Sequence, residues 1–250
     1  MKSPLIPIDI ISIYKNKLGD LVPLPVRMAK CTPDTHTAIF NIAVALAKKG
    51  GRLILSDLFR SYDMQAQSHQ DFISGKKKAF SPPPGGSFHE AGRGFDLDLS
   101  AIKVSLEDFW KIAAKFGVVP IIKQPKSNVS EAWHFDCRAS HQIVYDYYAA
   151  GKGTNFKAYT AASASAILSI GVHVDAFGVN QVEAALQSCI IRLGQDIGNI
   201  DGQIGRKSQK ALANLDIPLD LKHPENMLIE AENLVQQQFS AEFAMPLVLI

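Results

Sequence analysis

The sequence predicts an α+β fold: a mostly antiparallel sheet with flanking helices, followed by a small three-helix domain. Three observations predict it. Helical and strand-like stretches mix without the strict rhythm of a doubly wound βαβ protein. Two short segments, 95–99 and 132–137, alternate in the manner of half-buried strands. Beyond Gly151 the composition changes, and only helical spacings follow. At 250 residues the chain has length for one to two domains and a sizeable core. With 47% hydrophobic and 20% charged residues it lies in the range of folded proteins.

Asp34 is read as the N-cap of a helix in which Ile39, Ile42 and Leu46 recur at helical spacing, with Gly50-Gly51 ending it. Residues 52–58 read as a buried strand that delivers Phe59-Arg60-Ser61-Tyr62 at its end, and a second helix begins near Met64. Lys76-Lys77-Lys78 reads as a solvated loop. Ser81-Pro82-Pro83-Pro84-Gly85-Gly86 is stiff and then flexible, and aims Ser87 and whatever follows it. Phe95-Asp96-Leu97-Asp98-Leu99 puts both carboxylates on one face of a strand. A helix over Leu106–Phe116 closes at Gly117, a strand covers Ala132–Cys137, and a helix over Ser140–Ala149 stops at Gly151-Lys152-Gly153. These signals set a first domain at 1–152, a linker at 153–170 that runs into a helix, and a helical domain at 171–250. The last contains helices over Val182–Leu193, Ser208–Leu212 and Glu225–Phe239.

Charge and cysteine content exclude several functions. Twenty-six basic against 24 acidic residues leave a net charge of +2, far from the positive field of a dedicated nucleic-acid binder. Cys31, Cys137 and Cys189 are odd in number and never form a C-x-x-C pair, so they read as buried thiols. Pro4, Pro7 and Asp9 interrupt what would be the apolar core of a signal peptide, and no run reaches the roughly 18 apolar residues of a membrane span. The expectation is a chain made in the cytoplasm, with any export by another route.

The chemistry gathers around two histidines. His89 and Asp96 form an H-x6-D pair, of which chance alone supplies about 0.7 in this composition, so the spacing by itself decides nothing. Gly92 and Gly94 lie between them, however, and let the chain bend so that the two converge. His134 is a third candidate, in an aromatic-flanked strand with Glu131 three residues before it. Two imidazoles and one carboxylate leave a tetrahedral zinc with one position open to water, as in catalytic sites. Glu131, preceding a bend, is placed to take a proton from that water and return it to the leaving amine. Arg60 at a strand end supplies a fixed cation for a substrate carboxylate or a developing oxyanion, and Ser87 adds a hydrogen bond. The H-E-x-x-H signature is absent, since Arg93 stands where its second histidine would be.

Ser87-Phe88-His89-Glu90-Ala91-Gly92-Arg93-Gly94-Phe95-Asp96, with Glu131-Ala132-Trp133-His134, resembles the S-x-H-x-x-G-x-x-x-D and E-x-W-H motifs of zinc D-Ala-D-Ala peptidases. That family comprises the VanX/VanY-type D,D-carboxypeptidases and related L-Ala-D-Glu endolysins. Phe59-Arg60-Ser61-Tyr62 with Met64-Gln65 is similar to the family's upstream arginine segment. The resemblance implies His89, Asp96 and His134 as zinc ligands, Glu131 as general base, Arg60 as the residue steadying the transition state, and Ser87 as a substrate contact. It implies a zinc peptidase that cuts peptidoglycan stem peptides, as a D-Ala-D-Ala carboxypeptidase or an L-Ala-D-Glu endopeptidase. Two positions depart from the pattern: Gly94 replaces the usual alanine, and Asp136 replaces the closing glutamate. In the helical domain, Val182 to Gln187 and Asp201-Gly202-Gln203-Ile204-Gly205 through Leu212 are similar to peptidoglycan-binding three-helix modules, without their closing Phe-Gln. An appended wall-binding module without a signal peptide suits a lysin released through a holin or by lysis. The competing reading, a non-catalytic cell-wall-binding protein with a structural zinc, predicts a lost base or a fourth protein ligand, and Glu131 argues against it.

Overall fold

The computed structural model describes residues 2–245; Met1 and the last five residues of the predicted 171–250 domain lie outside them. The chain opens with four short strands that no sequence pattern announces: β1 (Ile6–Pro7), β2 (Ile11–Lys15), β3 (Leu21–Pro23) and β4 (Lys30–Cys31). Then come α1 (Pro33–Ala47), β5 (Leu55–Asp57), α2 (Tyr62–Ile73), a single 3₁₀ turn at Phe88–Ala91, β6 (Gly94–Leu97), α3 (Leu106–Ala114), β7 (Val118–Pro120) and β8 (His134–Cys137). Helices complete it: α4 (His141–Ala149), α5 (Ala158–Ser169), α6 (Gln181–Arg192), α7 (Arg206–Asn214) and α8 (Pro224–Gln238).

The main sheet has six strands in the order β3-β2-β5-β6-β8-β7, and only the β2–β5 pair is parallel. This is the mostly antiparallel α+β architecture that the sequence predicts, with α6, α7 and α8 as the three helices that follow. The β6–β8 register sets Asp96 opposite His134, Phe95 opposite Phe135 and Gly94 opposite Asp136. Successive side chains of a strand point to opposite faces. Phe95 and Phe135 therefore turn into the core with Phe109, Leu55 and the buried face of α1, while Asp96, His134 and Asp136 share the other face. Emptying Phe135 to alanine would cost about 3–5 kcal/mol, because the ring is fully buried between Phe95 and Phe109.

Three of the differences from the sequence pattern bear on the site. Helix α1 starts ahead of Asp34, at Pro33 behind Thr32, because proline suits the first helical position. Asp34 instead accepts hydrogen bonds from the Thr35 N–H (2.9 Å) and the Thr32 hydroxyl (2.6 Å). Strand β6 ends at Leu97, short of the Leu99 that closes the pattern, with the Asp98 N–H still donating to the Ile54 carbonyl at 2.9 Å. The stretch 153–170, which reads as a linker running into a helix, carries α5, whose residues Ala161 to Leu168 are all buried, so it is packed and not a free connector. Its small residues suggest flexibility by composition, but here they let α4, α6 and the 3₁₀ turn pack closely around one helix. The apolar core of the helical part accordingly runs on into Phe88 and Ala91 of that turn.

A buried charge network ties the same parts together. Arg93, fully buried, pairs with Asp34 of α1 (2.7 Å) and with Glu242 (3.4 Å). Glu242 also pairs with Arg192 of α6, whose Nε donates to Ser140 Oγ at 2.7 Å.

Candidate metal centre

The 3₁₀ turn that carries His89 is built by its flanks. Ser87 caps it by accepting from the His89 N–H, and Glu90 reaches back to the Ser87 N–H at 3.2 Å, a capping box. Gly92 then takes φ +63°, a conformation open to glycine, and a Cβ there would lie 2.9 Å from Cys31 Cα. Gly94 has no room for a methyl either, since its Cβ would lie 2.9 Å from the His89 nitrogen. The glycine that departs from the motif thus lets β6 run directly beneath the turn, and His89 and Asp96 converge despite the residues between them.

Three ligand atoms meet. His89 Nε2 lies 3.2 Å from His134 Nδ1 and 3.3 Å from Asp96 Oδ1, and His134 Nδ1 lies 2.8 Å from the same Oδ1. All three residues are at least nine-tenths buried. The far side of each imidazole is spoken for: His89 Nδ1–H donates to the Leu58 carbonyl (2.6 Å), and His134 Nε2–H donates to Asp136 Oδ1 (2.9 Å). Those bonds leave lone pairs on the facing nitrogens, beside a carboxylate oxygen. Three acceptors at such distances repel unless a cation lies among them, either a proton on His134 or a metal ion. The electrostatics agree: although burial works against charging it, His134 is pushed up to about 10 by Asp136 and Asp96. Asp96 is held well below the ordinary carboxylate range because His89 and His134 outweigh its burial. Among the described residues this trio forms a cluster of potential metal-ligating atoms all within 4.8 Å of one another. Two neutral imidazoles and one carboxylate, each oriented by a further partner, are a donor set that fits zinc.

Arg60 follows β5 and is buried beside the cluster. Its Nε and Nη2 both lie 2.6 Å from Asp57, Nη1 donates to Gln65 Oε1 (3.2 Å), and Nη2 lies 3.5 Å from Asp96 Oδ2. Asp96 therefore turns one oxygen to the histidines and the other to the arginine. Gln65, fully buried, also donates to the Pro82 carbonyl at 2.6 Å, so it joins Arg60 to the proline loop. Glu131 lies in the turn before β8 at φ +66°, uncommon for a residue with a side chain, which supplies the bend that its role requires. Its carboxyl is raised above the usual glutamate range, chiefly by burial and against the pull of His134.

Arg60, Ser87, His89, Asp96, Glu131 and His134 all line one cavity of about 930 Å³. The six residues singled out in the sequence are thus brought together. Trp133 walls the same cavity, and Lys77, from the run read as a solvated loop, lines it half-buried with its ammonium on Ser68 Oγ (2.9 Å). Several contributors carry no sequence signal of their own: Asp57 behind Arg60, Glu90 beneath the loop, and Tyr159 of α5, whereas Gln65 belongs to the upstream arginine segment. Glu90 accepts from the Gly85 N–H at 3.0 Å as well as from Ser87, and burial pushes it up to about 7 against those bonds.

An α+β sheet that holds two imidazoles and a carboxylate at the floor of a cavity, with a further carboxyl on its wall, defines a candidate catalytic metal site of the open kind. No family model matches the sequence, and no curated protein matches it. Among solved structures the chain is similar to the LD-carboxypeptidase LdcB, at 19% identity and TM-score 0.41 over 53% of this chain and 66% of that one. It is also similar to DacB from Streptococcus pneumoniae D39, at 23% identity and TM-score 0.35 over 49% of this chain and 78% of that one. A third is the vancomycin resistance D,D-pentapeptidase VanY from a VanB-type cassette, in complex with Zn(II), at 15% identity and TM-score 0.35 over 55% and 87%.

Proposed function

We propose that this chain is a zinc-dependent peptidoglycan peptidase acting on stem peptides, as a D-Ala-D-Ala carboxypeptidase. The observation that carries the reading is the convergence of His89 Nε2, His134 Nδ1 and Asp96 Oδ1 at the floor of a cavity that Glu131 also lines. The motif resemblance supplies the substrate class. When bound by these three residues, zinc supplies a Lewis acid that polarises a carbonyl and makes water acidic near pH ~7. Glu131 accepts the proton of the attacking water and delivers it to the leaving amine, a task suited to a carboxyl raised by burial. Arg60, anchored by Asp57 and Gln65, offers fixed positive charge to the carbonyl oxygen as negative charge develops. Ser87 lines the cavity beside His89 and contacts the peptide.

One feature favours removal of a terminal residue over cleavage within the L-Ala-D-Glu segment. Val174 approaches Gly85 so closely that a Cβ on the glycine would lie 2.9 Å from Val174 Cγ1, so the proline loop and the 174–176 segment meet along one side of the cavity. A contact between those two segments narrows the cavity there, which suits a substrate that enters by one end. Among the described residues no helix is long and apolar enough to cross a membrane. The wall-binding role of the α6–α8 helices belongs to the same proposal, supported by the motif resemblance and by buried Gln187, which accepts from the N–H groups of Asp201 (2.9 Å) and Gly202 (2.8 Å) and so organises the Asp-Gly turn. Mass spectrometry of purified stem peptides after incubation with zinc-loaded protein tests the reading, beside an EDTA control and Glu131→Ala. Loss of one terminal D-Ala, absent in both controls, is the expected result. Cleavage after L-Ala would make the chain an endopeptidase, and no cleavage of any stem peptide would leave the binding-protein reading.

A further inference from the structure

Helix α5 reaches into the metal centre from the far side of the cavity. The Tyr159 hydroxyl lies 3.4 Å from Asp136 Oδ1, the same oxygen that accepts from His134 Nε2–H at 2.9 Å, and 3.5 Å from that nitrogen, which is itself a donor and so leaves the phenol proton to the carboxylate. Asp136 is fully buried, and its other oxygen faces the Nε and Nη2 of Arg138, each at 3.4 Å. The Arg138 guanidinium is itself stacked over Tyr145 of α4, 4.3 Å from the ring centroid. The Tyr159 ring packs edge-on against Phe88, next to His89, with centroids 5.5 Å apart. A buried carboxylate is therefore held on three sides, by an imidazole, a phenol and a guanidinium. A tyrosine hydroxyl is protonated at neutral pH, and facing a carboxylate oxygen it stands as the donor.

We propose that Tyr159 is a positioning residue for the metal centre: its hydroxyl fixes Asp136, and Asp136 fixes the ring and tautomer of His134. The proposal rests on the zinc reading above and deepens it. It makes the helical part a wall of the catalytic cavity as well as any anchor, since Asn155, Phe156, Lys157, Thr160 and Val174 line that cavity too. Partners one step behind a metal ligand are worth about 10–100-fold in metal affinity, and one step further back the effect is smaller. The physical requirement is modest: a ring free to tilt costs orientation, whereas a ring held by Asp136 presents Nδ1 to the metal.

The test measures zinc affinity by chelator competition in the full-length protein, for the parent, Tyr159→Phe, Asp136→Asn and the double variant. Phenylalanine keeps the ring that packs on Phe88 and removes only the hydroxyl, and thermal melting in EDTA checks that each variant is folded. The expected result is zinc affinity roughly three- to tenfold weaker in Tyr159→Phe and roughly 10–100-fold weaker in Asp136→Asn. The double variant should be no weaker than Asp136→Asn, because the tyrosine acts through the aspartate. With cobalt(II) as the probe, Tyr159→Phe should also shift the visible absorption bands. Unchanged zinc affinity in Tyr159→Phe, or additive losses in the double variant, overturns the inference while leaving the zinc site standing. A parent that takes up no zinc overturns the zinc reading and this inference together.

Discussion

Zinc should raise the melting temperature of this protein, and the increment should grow with pH. In the metal-free chain, the proton on His134 relieves the repulsion among His89 Nε2, His134 Nδ1 and Asp96 Oδ1, and its pKa is about 10. An entering metal must displace that proton. Between pH 7 and pH 10 the displacement becomes about a thousandfold easier, a factor of ten per pH unit. The sign follows from linkage. A histidine raised from about 6.5 in the unfolded chain to about 10 in the folded one stabilises the metal-free protein fully below pH ~6.5 and loses that contribution as pH rises through its folded value. Metal-free stability thus falls over the range in which zinc affinity climbs, and the gap widens. At free zinc a thousand times the dissociation constant the linkage is worth about 4 kcal/mol. For a chain of this size that is a rise in Tm of roughly 8–16 °C. Thermal melts at pH 6.5, 7.5 and 8.5, with buffered zinc and with EDTA, read it directly, and His89→Ala should abolish the zinc increment. A zinc increment that is flat with pH, or that survives His89→Ala, would refute the three-donor reasoning.

Glu131→Gln should retain zinc with an affinity within severalfold of the parent yet lose at least about a hundredfold in kcat, since only the proton acceptor is removed; zinc titration and stem-peptide turnover separate the two. Glu90, raised to about 7 by burial, stabilises the fold below its unfolded value and loses that contribution as pH rises through 7. Urea unfolding in EDTA should therefore show a decline between pH ~4.5 and ~7 that Glu90→Gln flattens. Glu242→Gln leaves Arg93 and Arg192 buried without their shared carboxylate and should cost about 3–5 kcal/mol in denaturant unfolding; a loss below 1 kcal/mol would mean that the network is not closed. Truncation after residue 152 removes Arg192, Glu242 and every apolar partner that α5 and α6 offer Phe88 and Ala91. It should yield a chain without a cooperative melt, and a truncated form that melts cooperatively and binds zinc would refute that dependence.

Much of the candidate metal centre was legible because its chemistry is local. His89, Gly92, Gly94 and Asp96 fall within one turn and one strand, and Glu131 and His134 within another, so spacing and residue type carry the information. The alternation that marks β6 and β8 also sets which side chains share a face, and the antiparallel register does the rest. The N-terminal strands were not legible, because elements of two to five residues with proline at their ends carry no periodicity to read. Lys77 looked like one of three solvated lysines, and nothing in a Lys-Lys-Lys run says which one the loop turns inward.

The close packing of 153–170 was not legible for a different reason, and it bears on how the site works. An alanine- and serine-rich stretch is ambiguous: exposed it is a flexible connector, and surrounded by other helices it is the most tightly packed element available. Only long-range partners decide, and here they are Phe88 on one side and α4 and α6 on the others. Once α5 is buried, Tyr159 has a fixed position, and a position fixed by the helical part can be used to hold Asp136. The aspartate that replaces the motif's closing glutamate has a side chain one methylene shorter, yet it still reaches His134 at 2.9 Å. The tyrosine and Arg138 fill its remaining valences from outside the motif. The departure in the motif and the burial of α5 thus bear on one contact, which ties the strand that carries His134 to a helix 23 residues further along the chain.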